Sequence, residues 1–285
     1  MKMNKTAQRL LTFFIGIPVI VGCAAISFCN HLLLHIAILV TTTLISFELH
    51  GILSKSLETQ NKALTIILAD LIPLSTSICV IFGFSLIYAI LSIMVSLFLV
   101  FTLEIWGYNR TTRTFEKSIQ KLGSSLIIVI FCGFFMSFIS RMAAFPEPSA
   151  IVSMFLLFIF GCDSCAWFFG ITMGKNNRGF VAASPNKSVM GFIGGYVGSF
   201  IAVFVALLVF PVLKSFDFWK IALLSVTTAT TAILGDLVES VMKRSSNTKD
   251  SGNIIPGRGG LLDSADSIVF SAPIFYFLVK LLLGM

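Results

Sequence analysis

Long apolar runs separated by short polar intervals make up most of this chain, and the runs carry no strong amphipathic stripe. A helix needs about 20 predominantly apolar residues to cross a bilayer. Nine stretches meet that need, roughly 10–29, 31–47, 63–83, 85–103, 122–140, 149–172, 190–213, 218–241 and 267–285. The second is short and Asp70 with Pro73 interrupts the third, so a count of eight or ten also fits. Stretches such as Leu32 to Ile45 and Ser85 to Val100 contain no Asp, Glu, Lys or Arg, as expected of helices that face lipid or one another. The pattern predicts an all-α, polytopic integral membrane bundle of about nine transmembrane helices.

Composition agrees with that reading. Of 285 residues, 56% are hydrophobic and 12% charged, against roughly 25% charged in soluble domains. The formal charge of +7 could suggest nucleic acid, but its distribution excludes that partner. With the N-terminus cytoplasmic and the spans alternating, 16 of the 20 basic residues fall on one side. Such a bias is the positive-inside rule, and it places the polar loops in the cytoplasm, where nucleotides are found. The N-terminal stretch MKMNKTAQRLLTFFIGIPVIVGC looks like a signal peptide, but its apolar core is too long for one. It is expected to remain as the first membrane helix. The six cysteines lie almost entirely within apolar runs and predict no disulfide framework. Cys162 and Cys165 form a lone C-x-x-C far from any histidine, which does not amount to a zinc site.

The longest polar interval, Ser240 to Asp266, gathers Lys243, Arg244, Lys249, Asp250, Arg258, Asp263 and Asp266 around four glycines. Backbone N–H groups and cations in such a loop suit phosphate oxygens, and clustered carboxylates suit Mg²⁺. Immediately before it, Asp236, Glu239, Ser240 and Lys243 stand at helical offsets that put all four on one face. Asp263 and Asp266 are three apart, and a helix starting near Leu261 would hold both at its positive end. A further acidic residue, Asp163, lies toward one end of an apolar run and needs a partner, with Lys175, Lys187 or a bound metal as the candidates. Gly191, Gly194, Gly195 and Gly198 would let helices approach closely around it.

Three other places are read without chemistry. The polar connection holding Glu48, His50, Lys55 and Glu58 is read as a solvated turn. Asp70, beside Pro73, either lines a polar cavity or is interfacial or re-entrant, and it is left out of the site. The basic stretch Glu104 to Lys121, with Trp106 and Tyr108, is read first as topogenic charge and second as a surface that gathers an acidic lipid.

These residues carry a resemblance. The run S-x-x-K-R, four residues, K-D-x-G, then P-G-x-G-G-L-x-D-x-x-D resembles the signature of the phosphatidate cytidylyltransferase (CDP-diglyceride synthetase) family. Ser240, Lys243, Arg244, Lys249, Asp250, Gly252, Pro256, Gly259, Gly260, Leu261, Asp263 and Asp266 fall on the pattern. The preceding G-D-x-x-E-S-x-x-K-R matches at Gly235, Asp236, Glu239, Ser240, Lys243 and Arg244. Upstream, Asp163, Gly174, Lys175, Ser184, Pro185, Lys187, Ser188 and Gly191 match two further stretches of the family. Arg258 stands where the family usually has His, Met190 where it commonly has Glu, Ser264 where it usually has Arg, and Ala265 where a larger apolar residue or Thr is usual.

The resemblance implies a nucleotidyltransferase that condenses CTP with phosphatidate to CDP-diacylglycerol and pyrophosphate. It implies Mg²⁺, as one or two ions, on Asp236, Asp263 and Asp266. Lys243, Arg244, Lys249, Asp250 and Arg258 are then catalytic, and Asp163, Lys175, Ser184, Lys187, Ser188, Glu239, Ser240, Gly259 and Gly260 hold substrate. A bacterial-type inner membrane is the expected setting, with the active site facing the cytoplasm and a homodimer left open. Residues 1–140 are expected to form a transmembrane scaffold and 141–285 the catalytic region. Three other readings compete: a CTP-dependent isoprenoid-alcohol kinase, an ion-coupled transporter using Asp163 and Asp236, and a diverged, inactive relative serving as a membrane scaffold, suggested by Met190, Arg258, Ser264 and Ala265.

Overall fold

The computed structural model of the protein describes residues 21–106, 114–255 and 259–285. Among these residues, eight helices long and apolar enough to cross a membrane follow in order: α1 Leu32–Leu53, α2 Lys62–Phe82, α3 Ile87–Ile105, α4 Ser118–Met142, α5 Pro148–Thr172, α6 Val189–Val209, α7 Phe218–Ser245 and α8 Leu262–Leu283. The protein is an all-helical, polytopic membrane bundle. The eight helices correspond one for one with the last eight apolar runs; the first run, 10–29, falls mostly on residues 1–20, outside the described residues. Tyr108, Arg110, Arg113, Pro256 and Arg258 also lie outside them.

Local chemistry sets several helix ends. The Asn61 side chain accepts the Leu64 N–H at 3.2 Å and opens α2, which closes on Gly83 in the left-handed conformation (φ +71°). Pro148 starts α5, where a missing N–H costs nothing. Ser188 caps α6 by accepting the Gly191 N–H at 3.0 Å.

Pro73 does not interrupt its span: α2 runs through it. Proline cannot bond the carbonyl four residues back, and that carbonyl, Ala69 O, packs against Gly133 in a π-helical turn of α4, Val129–Phe134. Any side chain at Gly133 would collide with it. The proline is thus accommodated by a neighbouring helix rather than by a break.

Glycine sets how closely helices pack around the site. A Cβ at Gly194 of α6 would lie 2.6 Å from the Phe169 Cβ of α5, and one at Gly161 would lie 2.6 Å from Gly198 O. On the other flank, a Cβ at Gly235 of α7 would lie 2.7 Å from the Phe270 Cβ and 2.8 Å from Asp266 O of α8. Helix α5 therefore packs nearly backbone to backbone on α6, and α7 on α8. Ser267 Oγ donates to Ala232 O at 3.1 Å and Thr231 Oγ1 to Ser271 Oγ at 2.9 Å, which adds polar contacts between α7 and α8.

The interior is aromatic. Phe155 packs on Phe275 with ring centroids 4.9 Å apart, and Phe138 of α4 packs on Tyr276 of α8 at 5.4 Å. Residues such as Leu208 and Leu281 remain 78% and 77% exposed, as lipid-facing side chains should. All six cysteines are free.

Candidate active site

Helices α5, α6, α7 and α8 alternate in direction, so the end of α5, the start of α6, the end of α7 and the start of α8 meet at one end of the bundle. Between them lies a cavity of about 340 Å³ whose lining includes Asp163, Arg178, Lys187, Ser188, Asp236, Lys243, Asp263 and Asp266. Four carboxylates thus face three cations. Trp167, Ile171 and Phe192 supply an apolar wall.

Each polar side chain has a local reason for its place. Asp236 follows Gly235, whose lack of a side chain lets α8 approach, and it forms an ion pair with Lys187 from the loop before α6. That loop is pinned by a bridge between Arg178 and Ser188 and by the Val189 N–H bonding Asn177 O at 3.1 Å. Lys243, in the last turn of α7, reaches Glu239 at 2.5 Å and Asp263 at 2.6 Å. Glu239 is 1% exposed, so its polar neighbour is that lysine rather than water. Asp263 sits in the first turn of α8 and also accepts the N–H groups of Gly260 at 2.7 Å and Ser251 at 3.0 Å. Asp266, one turn on, is buried at 5% exposure.

The glycine-rich loop corrects one expectation. Its N–H groups were read as a cradle for phosphate, yet Gly260 donates to Asp263, and Leu261 and Leu262 donate to Glu48 at 3.0 and 2.8 Å. Gly259, at φ +116°, is bridged to Ile255 and turns the chain into α8. Those donors already serve the protein's own carboxylates.

Of the residues singled out in the sequence, Asp163, Lys187, Ser188, Asp236, Lys243, Asp263 and Asp266 share the cavity. Glu239 is joined to them through Lys243. Ser240 is buried on α7 outside the lining, and Ser184 is half-buried in the loop before α6. Lys175 is exposed and does not line the cavity, so of the two lysines it is Lys187 that shares the cavity with Asp163. Arg244 instead ties loops together, donating to Ala183 O and Thr248 O at 3.3 Å each. Lys249 and Asp250 are exposed on the loop.

Two residues were missed. Arg178 lines the cavity and donates to Gly170 O at 3.1 Å; in the sequence it was only one more basic loop residue. Glu48 belongs to no solvated turn: it lies within α1 and is 5% exposed, as His50 is 6% exposed and donates to Gln60 O at 3.1 Å. The signal available was a carboxylate near the end of an apolar run, which needs a partner. Lys55 and Glu58 are exposed, as a solvated turn requires.

Among the described residues, no three His, Cys, Asp or Glu side chains form a ready-made metal cage. The donor chemistry nonetheless fits Mg²⁺, which is commonly held by one or two carboxylates together with substrate phosphates and water. Asp236, Asp263 and Asp266 bring hard oxygens to one cavity.

Comparison with known proteins gives the chain a family. The model of the cytidylyltransferase family matches residues 7–282. Among relatives, a protein of Bacillus subtilis named phosphatidate cytidylyltransferase is 40% identical over 125 residues, 43% of this chain and 45% of that protein. Proteins of the same name from Synechocystis sp. and Thermotoga maritima are 37% identical over 150 residues and 34% over 162. These matches cover 49% and 55% of this chain, and 48% and 59% of the two relatives. The chain therefore spans about half the length of the relatives it matches. The match across almost its whole length, on a bundle whose acidic and basic residues converge at one end, shows that the chain belongs to the cytidylyltransferase family.

Proposed function

We propose that this protein condenses CTP with phosphatidate, forming CDP-diacylglycerol and pyrophosphate for phospholipid synthesis. The observation that carries the reading is the single cavity into which α5, α7 and α8 bring Asp163, Asp236, Lys243, Asp263 and Asp266, beside Lys187. The names of the relatives support the substrates.

The nucleophile is an oxygen of the phosphatidate phosphate, already ionised, so no side chain must remove a proton. A new bond forms between that oxygen and the α-phosphorus of CTP while the bond to the β-phosphate breaks, and the electron pair leaves with pyrophosphate. The protein's part is to bring two polyanions together, align them and offset growing charge. Lys187, Lys243 and Arg178 pair with phosphate oxygens, and the Ser188 hydroxyl can donate its hydrogen while its oxygen still caps α6. Lys249 and Arg258, on the loop before α8, are assigned to the nucleotide's outer phosphates. Trp167 and Ile171, exposed beside the cavity, give acyl chains an apolar approach from the bilayer. Bound on Asp236, Asp263 and Asp266, Mg²⁺ would supply Lewis-acid polarisation and neutralise phosphate charge.

The loops at the cavity end carry most of the basic residues, which supports a cytoplasmic orientation in a bacterial-type inner membrane. In this reading residues 141–285 carry the chemistry and 1–140 support it. Crosslinking in the membrane distinguishes a monomer from a homodimer.

The test is incubation of the purified protein in detergent with labelled CTP and Mg²⁺, with phosphatidate in one reaction and an isoprenoid alcohol in a parallel one. CDP-diacylglycerol and pyrophosphate are expected. Release of CDP with a phosphorylated isoprenoid alcohol, or no CTP-dependent lipid product, overturns the assignment.

A further inference from the structure

One buried carboxylate has no part in the chemistry above. Glu48, on α1, accepts the N–H groups of Leu261 at 3.0 Å and Leu262 at 2.8 Å, and the Ser251 hydroxyl at 3.0 Å. It is not among the residues that line the cavity. Ser251 connects onward: its N–H donates to Asp263 at 3.0 Å, and its Oγ accepts the Asp263 N–H at 3.3 Å. A continuous polar chain therefore runs from Glu48 through Ser251 to Asp263 and Lys243.

The glycines of the loop are shaped to this carboxylate. A Cβ at Gly252 would lie 2.6 Å from Glu48 Oε1, and one at Gly260 would run into both Glu48 and Ser251. The first N–H groups of a helix have no partner within it and favour negative charge, so a carboxylate placed there is stabilised and fixes the direction of the helix start. Because Glu48 comes from a helix more than 200 residues away in sequence, the loop's placement depends on the first half of the chain.

We infer that Glu48 is a positioning residue: it clamps the glycine-rich loop to the first turn of α8 and so sets the Asp263 carboxylate and the Lys243 ammonium toward the phosphates without touching substrate. This inference rests on the proposed function for its catalytic consequence and on geometry alone for the clamp.

The experiment uses the full chain in detergent and compares wild type with Glu48→Gln, Ser251→Ala, the double variant, and Glu58→Gln as an exposed control. Glu48→Gln keeps the volume but places an amide donor against N–H donors. Its kcat is expected to fall about 100-fold, as for a displacement near 1 Å in a catalytic group, with a higher Mg²⁺ concentration for half-maximal rate. Ser251→Ala is expected to lose less, and the double variant no more than Glu48→Gln, because both act through one chain of contacts. Hydrogen–deuterium exchange gives a readout independent of turnover. Peptides covering 249–263 are expected to exchange about tenfold faster in Glu48→Gln, while those of α5 and α6 stay unchanged; should Glu48→Gln fail to fold, Ser251→Ala carries the same comparison. Unchanged exchange in that loop overturns the clamp whether or not the enzyme is active. Wild-type turnover with an equally active Glu48→Gln overturns the positioning role, whereas an inactive wild type with a loosened loop overturns only the proposed reaction.

Discussion

Lys243 Nζ donates to Asp263 Oδ1 at 2.6 Å, and this contact joins the last turn of α7 to the first turn of α8 across the cavity. The same ammonium lies 2.5 Å from Glu239. One cation thus holds two carboxylates that would otherwise repel each other, one of them fully buried. Lys243→Met leaves both without a counter-charge. We expect a loss of about 3–5 kcal/mol in stability, the cost of breaking a buried pair, together with loss of measurable turnover. Thermal unfolding in detergent and the CTP assay check both parts.

Asp236 offers the contrasting case. Its pair with Lys187 is open to solvent, with the side chains 38% and 22% exposed. Asp236→Asn should therefore change stability by no more than about 1 kcal/mol. Turnover is expected to fall about 100-fold or more, because an amide at position 236 would neither hold Mg²⁺ as a carboxylate does nor orient Lys187 toward the reacting phosphates. A variant with wild-type unfolding and wild-type turnover removes Asp236 from the site.

Glycine substitutions should divide by what surrounds them. Gly252→Ala would place its Cβ 2.6 Å from Glu48 Oε1, and overpacking of this kind costs about 1–3 kcal/mol. Gly51, within α1, has nothing within 4 Å of an added Cβ. Gly51→Ala is expected to stabilise the protein by about 0.5–1 kcal/mol through helix propensity. Opposite shifts of the unfolding midpoint confirm the pair; equal shifts contradict the close contact at Gly252.

Removal of divalent cation by EDTA should abolish product formation, and added Mg²⁺ should restore it. The dependence follows from carboxylates that outnumber the cations around the cavity and from the polyanions that must meet there. Full activity in EDTA would mean that lysine and arginine alone suffice.

Helix positions were legible because lipid imposes a simple demand: a spanning segment must satisfy its own backbone and present apolar side chains. Spacing on α7 was legible for a similar reason, since Asp236, Glu239 and Lys243 are set by a period the helix repeats. Pro73 misled because its effect depends on Gly133, which belongs to another helix. The glycine-rich loop misled further, since glycines that admit a ligand and glycines that admit a neighbouring carboxylate look the same in one dimension.

By itself, the sequence determined the spans, their sidedness of charge and the chemical types gathered at the last two helices, because these follow from short-range composition and periodicity. Only the tertiary structure decided which groups meet. It set Lys187 rather than Lys175 beside the acidic cavity, added Arg178, and brought Glu48 onto the start of α8. Those pairings join helices far apart in the chain, and contact between distant segments is fixed by packing, which no local pattern of residues encodes.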